Sequence, residues 1–381
     1  MKIALVSPYD FSHPGGVGRH ITALFNNFTS MGHEVKVIAP ASKEVNDFGD
    51  RFIRIGRPFP IPASDSVIRV PLSLHLAPTI KKTLETEKFD IVHLHEPFMP
   101  MLCSATLRFS NTVNVGTFHA AQGKPGYNWG KPISTWMLSR RARKLHGHIA
   151  VSKPAMDYAS KFVPDDYEII PNGVDLKHFT PDVPLIEEFC DGKLNIVFMG
   201  RLEFRKGINY LLKAFLEIKR QMPNTRLIIC GPGTRLRERY ENWAKDVRLP
   251  DVVFTGMVHY NKQPSYYRTA DIFCAPATSR ESFGLILLEA MATGRPIVAT
   301  NIEGFASVVT DGEEGLLVPP ISSRALSDAI LTLLNDKEKR LCMGQKGIIT
   351  ASKYDWKDIS KRILEYYGKT IEKVRQQHTV G

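Results

Sequence analysis

The stretch Arg280-Glu281-Ser282-Phe283-Gly284-Leu285-Ile286-Leu287-Leu288-Glu289-Ala290 follows the short apolar run Ile272–Ala275 and precedes another, Ile297–Ala299. A short strand, a turn, an amphipathic helix and a second strand form the unit of a parallel sheet with crossover helices. Glu281 falls in the turn before the helix, and Gly284 lets a ligand approach the backbone. The free N–H groups of the first helical turn offer donors to an anion. Eight residues at the helical rise separate Glu281 from Glu289 by roughly 12 Å. That is the reach of a ligand with hydroxyls at both ends and a diphosphate between them, such as a nucleotide-sugar. The same pattern equally describes a solvated cap and a solvated turn, so the rest of the chain has to decide.

Outward from this stretch, strand-like runs alternate with helical patterns. In the first half they are Ile3–Val6, Val35–Ile38, Ile91–Leu94, Val113–Phe118, His148–Val151 and Glu168–Ile170. The series restarts with Asn195–Met199, Arg226–Cys230, Val252–Thr255, Ile272–Ala275, Ile297–Ala299 and Leu316–Val318. Between the halves, Val163–Lys193 carries Pro164, Pro171, Pro181 and Pro184 and reads as a connection. The expectation is an α/β chain with two doubly wound, Rossmann-like domains facing a central cleft, where ligands bind beyond the strand carboxyl ends. Residues 1–170 are expected to form the first domain and 171–355 the second. Ile359, Ile363, Tyr366 and Tyr367 fall on helical spacing, so residues 356–381 are expected to form a helix packed back on the first domain.

Composition narrows the function. At 381 residues, 43% hydrophobic and 23% charged, the chain is globular and long enough for two cores. Five scattered cysteines lack Cys-x-x-Cys spacing, which points to neither a disulfide framework nor zinc, and fits a reducing compartment. No apolar run nears the ~18 residues that span a bilayer, and Pro8 follows Lys2–Val6 too soon for a signal peptide. A protein kept in the cytoplasm is expected. The net charge of +11 calls for an anionic partner: nucleic acid, anionic lipid or a phosphorylated substrate. Aromatics are not interleaved with basic residues as stacking platforms, which argues against nucleic acid.

The loops after the strands carry the chemistry. Pro14-Gly15-Gly16-Val17-Gly18-Arg19-His20 opens a helix and offers backbone donors to phosphate. Gly200-Arg201-Leu202-Glu203-Phe204-Arg205-Lys206-Gly207 lets Arg201 and Lys206 converge on a diphosphate, and cations at a helix start otherwise oppose its dipole. His119, with Ala120 and Gly123 beyond it, emerges at the end of Val113–Phe118. His93 and His95 share a strand face, yet no third ligand is spaced to complete a metal site. Asp-x-Asp is absent, so no metal is expected, and cations and helix N-termini must offset the diphosphate.

Together Gly15-Gly16, His119, Pro171-Asn172-Gly173-Val174-Asp175, Gly200-Arg201 with Lys206, and Glu281 with Glu289 resemble the retaining glycosyltransferases of family 4, of GT-B architecture, from Lys2 to about Trp356. Pro14–Val17, Ile91–Pro97, Thr117–His119 and Glu281–Gly284 bring the chain closest to the phosphatidylinositol mannosyltransferases. The resemblance implies transfer of mannose from GDP-mannose to the inositol of an anionic phospholipid, peripherally at the cytoplasmic membrane face, with no cofactor. It implies catalytic roles for His119 and Glu281. Donor binding would fall to Gly16, Arg201, Lys206, Phe283, Gly284, Leu285 and Glu289, and acceptor binding to Gly15, Gly16 and Arg19. Two departures stand out. The loop Gly256–Lys262 lacks the carboxylate that helps relatives read guanine, which leaves a UDP-sugar and another acceptor open. Lys81, Lys82 and Lys88 share their segment with Glu85 and Glu87, so membrane attraction would either be weaker or draw on Arg140, Arg141, Arg143 and Lys144.

Overall fold

The computed structural model describes the chain except Pro14, Ser64, Asp65, Leu74, residues 122–139, Thr234 and Gly381. The parts of the sequence reading that rest on Pro14 and Gly123 therefore lie outside the described residues. The chain divides into two compact units, Met1–Gly173 with Trp356–Gly381, and Val174–Asp355.

In the first unit the strands are β1 (Lys2–Val6), β2 (Glu34–Ala39), β3 (Phe52–Arg54), β4 (Pro58–Ala63), β5 (Ser66–Pro71), β6 (Ile91–His95), β7 (Val113–Phe118), β8 (Gly147–Ala150) and β9 (Glu168–Ile169). Seven of them form a parallel sheet in the order β3-β2-β1-β6-β7-β8-β9, while β4 and β5 pair only with each other. The sequence reading missed β3 and this hairpin. Pro58, Pro60 and Pro62 have no N–H to donate to a ladder, and such a run does not read as a strand. Strand order reverses between β1 and β6, so the loops after these strands flank the topological switch point, where ligands bind in doubly wound sheets.

Helix Gly16–Ser30 and the long helix Trp356–Val380 cover one face of this sheet, burying Ile21, Leu24, Phe25 and Phe28 against Ile359, Ile363 and Tyr367. The apolar positions spaced as a helical stripe are the ones that pack.

The second unit contains β10 (Leu194–Met199), β11 (Thr225–Cys230), β12 (Val252–Gly256), β13 (Ile272–Ala275), β14 (Ile297–Thr300) and β15 (Gly315–Val318), parallel in the order β12-β11-β10-β13-β14-β15. Its switch point lies between β10 and β13. The loop carrying Arg201 follows β10, and the loop carrying Glu281 follows β13, so the fold delivers both to that point. All five cysteines are free, and no described helix is long and apolar enough to cross a membrane.

Candidate active site

In the second unit, β10 leads through Gly200 and a short 3-10 turn, Phe204–Lys206, into helix Ile208–Gln221. Gly207 takes φ 73, and a Cβ there would lie 1.9 Å from the carbonyl oxygen of Pro276, so only glycine lets this turn press against the loop after β13. Across that contact Glu281 meets the cations. Its Oε1 lies 2.6 Å from Lys206 Nζ and 2.6 Å from Arg205 Nη1. Glu203 pairs with Arg205 at 2.7 Å and with Arg201 at 3.1 Å. Burial pushes the Glu281 carboxyl up, but the Lys206 and Arg205 charges outweigh it and hold it below the usual range. Glu281 is therefore ionised at neutral pH.

Sequence reasoning paired Lys206 with Arg201 and missed Arg205, which is more enclosed: its side chain is 16% exposed against 53% for Arg201. The dibasic pair before Gly207 was the available signal. Carboxylates of the chain itself, Glu203 and Glu281, already balance these cations, so their place at a helix start does not by itself call for a bound anion.

Gly284 starts helix Leu285–Ala292 with φ 107, a conformation that strains any residue with a Cβ. The helix presents Glu289 inward rather than to solvent: it is 4% exposed, and Tyr267 Oη donates to Oε2 at 2.6 Å. This rules out the solvated cap for Glu289.

In the first unit, Gly15 is the extended residue before helix Gly16–Ser30, and a Cβ added to it meets no atom within 4 Å. Arg19 N donates to the Gly15 carbonyl as the first turn closes. His119, half-buried, follows β7, and Nε2 lies 3.0 Å from His95 Nδ1. His20, from the helix, bonds Asn172 Oδ1 at 2.7 Å through Nδ1 and meets the His119 ring edge-on at 4.9 Å. His93 turns away, bonding Thr117 through Nε2 and Tyr367 through Nδ1.

A third imidazole does join the strand histidines, contrary to the sequence expectation, and the partners are His20 and His119 rather than His93. His20, His95 and His119 each place a ring nitrogen within 4.8 Å of the others. Helix and strand, remote in sequence, bring them together, so spacing alone did not disclose the group. Burial first, and neighbouring imidazoles second, pull these rings below the usual histidine range: His95 and His119 far below, His93 to about 3. Burial lowers His20 to about 4. The cluster is neutral at pH 7, and His119 acts there as a hydrogen-bonding imidazole, not as a resting cation.

Of the basic residues near the first unit's surface, Lys144 directs Nζ to the carbonyls of Arg108 and Ser110 at 2.6 and 3.1 Å. Glu87 pairs with Lys2 and Lys36, leaving Lys81 only a loose pair with Glu85 at 3.7 Å.

Two Rossmann-like units, each with a glycine-bearing loop at its switch point, are the architecture of the GT-B class. Residues 14–178 match the family model Glycosyltransferase Family 4, and residues 186–350 match Glycosyl transferases group 1. Sucrose-phosphate synthase from Thermosynechococcus elongatus shares the fold, with a TM-score of 0.77 at 20% identity over 100% of both chains. The phosphatidyl-myo-inositol mannosyltransferase of Mycolicibacterium smegmatis is 34% identical over 370 residues, covering 96% of this chain and 93% of its own. A D-inositol 3-phosphate glycosyltransferase of Corynebacterium urealyticum is 32% identical over 52% of this chain and 50% of its own. The chain belongs to glycosyltransferase family 4, within the group that includes the phosphatidyl-myo-inositol mannosyltransferases.

Proposed function

We propose that this glycosyltransferase moves mannose, with retention, from GDP-mannose to the inositol ring of a phosphatidylinositol-type lipid, as a peripheral protein on the cytoplasmic face of the membrane. The observation that carries the reading is end-to-end likeness to mannosyltransferases named for that acceptor. The charge arrangement around Glu281 supports the donor. Arg201 and Lys206, with Arg205 beside them, take the diphosphate, which displaces their carboxylate partners and frees Glu281 for the sugar hydroxyls. Glu289 takes the ribose, and the backbone of Phe283, Gly284 and Leu285 lies along the ligand between the two glutamates. Gly15, Gly16 and Arg19 receive the acceptor phosphate, Gly16 also approaching the donor diphosphate.

In the reaction the bond from the sugar's anomeric carbon to the diphosphate breaks, the inositol oxygen bonds that carbon, and the hydroxyl proton leaves with the diphosphate. His119 donates or accepts a hydrogen bond beside the reacting carbon, and the three cations offset the departing charge. No metal or other cofactor is required, and nucleic acid is not a partner. A UDP-sugar is the second reading, favoured by the carboxylate-free loop Gly256–Lys262.

His119→Ala and Glu281→Ala test the assignment by single-turnover kinetics beside titration with GDP. Each is expected to slow transfer by ~100-fold or more while GDP affinity stays within a few-fold. Near-normal turnover in both contradicts the reading.

A further inference from the structure

His119 is held at two points by two consecutive residues. His95 Nδ1 meets its ring, and Glu96 Oε1 accepts both the His119 N–H at 2.7 Å and the Ala120 N–H at 2.9 Å. Along a strand, neighbouring side chains point to opposite faces, so His95 and Glu96 could not serve the same neighbour from regular β backbone. At Glu96 the chain leaves the strand with φ 53, in the left-handed region, and that departure turns the carboxylate toward the end of β7. Its own N–H donates to the Thr117 carbonyl at 2.9 Å, fixing the turn from which the carboxylate reaches.

The arrangement is unfavourable in itself. A non-glycine residue in left-handed backbone is strained, and a glutamate only 3% exposed has lost its water. What the molecule gains is a fixed direction for the backbone that launches His119.

We propose that Glu96 is a positioning residue for His119, acting as a backbone-capping acceptor that sets where the imidazole meets the substrate. This rests on the reading that His119 acts beside the transferred sugar. Glu96 touches neither donor nor acceptor. It acts on transfer through the backbone that carries His119, and the requirement is for an acceptor oxygen at the reach of a glutamate side chain.

Single-turnover rates and GDP affinities of Glu96→Gln, Glu96→Asp, His119→Ala and the Glu96→Asp/His119→Ala double variant test it. Glu96→Gln keeps an acceptor oxygen at the same reach and is expected to stay within about threefold of the native rate. Glu96→Asp keeps the carboxyl group but falls short of both N–H groups, and is expected to slow transfer by about 10- to 100-fold, as small misplacements of reacting groups do, with GDP affinity unchanged. The double variant is expected to be no slower than His119→Ala, since the two residues act as one unit.

Multiplied losses in the double variant would overturn the inference, as would full turnover of Glu96→Asp beside a crippled His119→Ala. Full turnover of His119→Ala removes the parent reading and this inference with it. If Glu96→Asp does not fold, Glu96→Gln decides alone: retention supports an acceptor role, and a loss beyond about tenfold contradicts it.

Discussion

Lys206 and Arg205 share one carboxylate oxygen of Glu281, and this contact ties the loop after β10 to the loop after β13. A diphosphate that takes these cations gains charge-assisted hydrogen bonds worth ~1.5–3 kcal/mol each. Arg201→Ala and Lys206→Ala are accordingly expected to weaken nucleotide-diphosphate binding by about 10- to 150-fold, and calorimetric titration checks it. Unchanged affinity in both variants would take these residues out of the donor site. The gathering of basic residues in the glycine-bounded loop was legible in the sequence, while the chain's own carboxylates beside them, Glu203 and Glu281, come together only in the fold. Arg205 was not legible, because a three-residue 3-10 turn has no side-chain period from which to read that both adjacent cations turn inward.

At the scale of elements, the strands with unbroken apolar runs were legible almost to the residue. Val113–Phe118 and Ile272–Ala275 have the bounds that their β-branched and aromatic content indicated. Ile359, Ile363 and Tyr367 are buried on the helical stripe they trace in sequence. The hairpin of β4 and β5 escaped because its prolines hide a strand, and the imidazole cluster escaped because tertiary packing alone assembles it.

Two stability predictions belong here. Gly207→Ala forces a Cβ onto the Pro276 carbonyl at positive φ and is expected to lose about 2 kcal/mol or more. Gly18→Ala, in a helix with no atom within 4 Å of the added Cβ, is expected to gain about 0.5–1 kcal/mol. Urea midpoints compare the two, and equal effects would contradict the packing described.

The histidine cluster sets a pH dependence. Folding lowers the pKa of His20, His93, His95 and His119 from an ordinary 6.5, two of them to about 4 and about 3. The unfolded chain thus binds more protons below pH 6.5, and stability present above that pH is lost as it falls toward the folded values. Each buried imidazole contributes a slope of about 1.4 kcal/mol per pH unit. Urea unfolding is expected to shift steeply to lower midpoints between pH 7 and 5, and His20→Gln is expected to flatten that shift. A pH-independent midpoint would contradict neutral burial of the cluster.

For the whole molecule, the charge of +11 motivates a test of the proposed encounter with anionic lipid. Vesicles containing phosphatidylinositol are expected to bind the protein, and binding is expected to weaken as salt rises, since each basic residue near the surface contributes about 1 kcal/mol within a Debye length. Equal binding to neutral and anionic vesicles would contradict an electrostatic approach. On the proposal that Arg201, Arg205 and Lys206 offset the diphosphate, a chelator is expected to leave the transfer rate unchanged, and loss of transfer restored by a divalent ion would contradict that.

The most direct test of the central claim is the product itself. The purified protein is incubated with GDP-mannose or UDP-glucose and, in turn, phosphatidylinositol, inositol 3-phosphate or a lipid without inositol, and each mixture is analysed by mass spectrometry and NMR. The expected result is one hexose added to phosphatidylinositol from GDP-mannose, in α linkage and on the inositol ring. Hexose addition only from the UDP-sugar, only to a soluble or inositol-free acceptor, or with inverted configuration would contradict it.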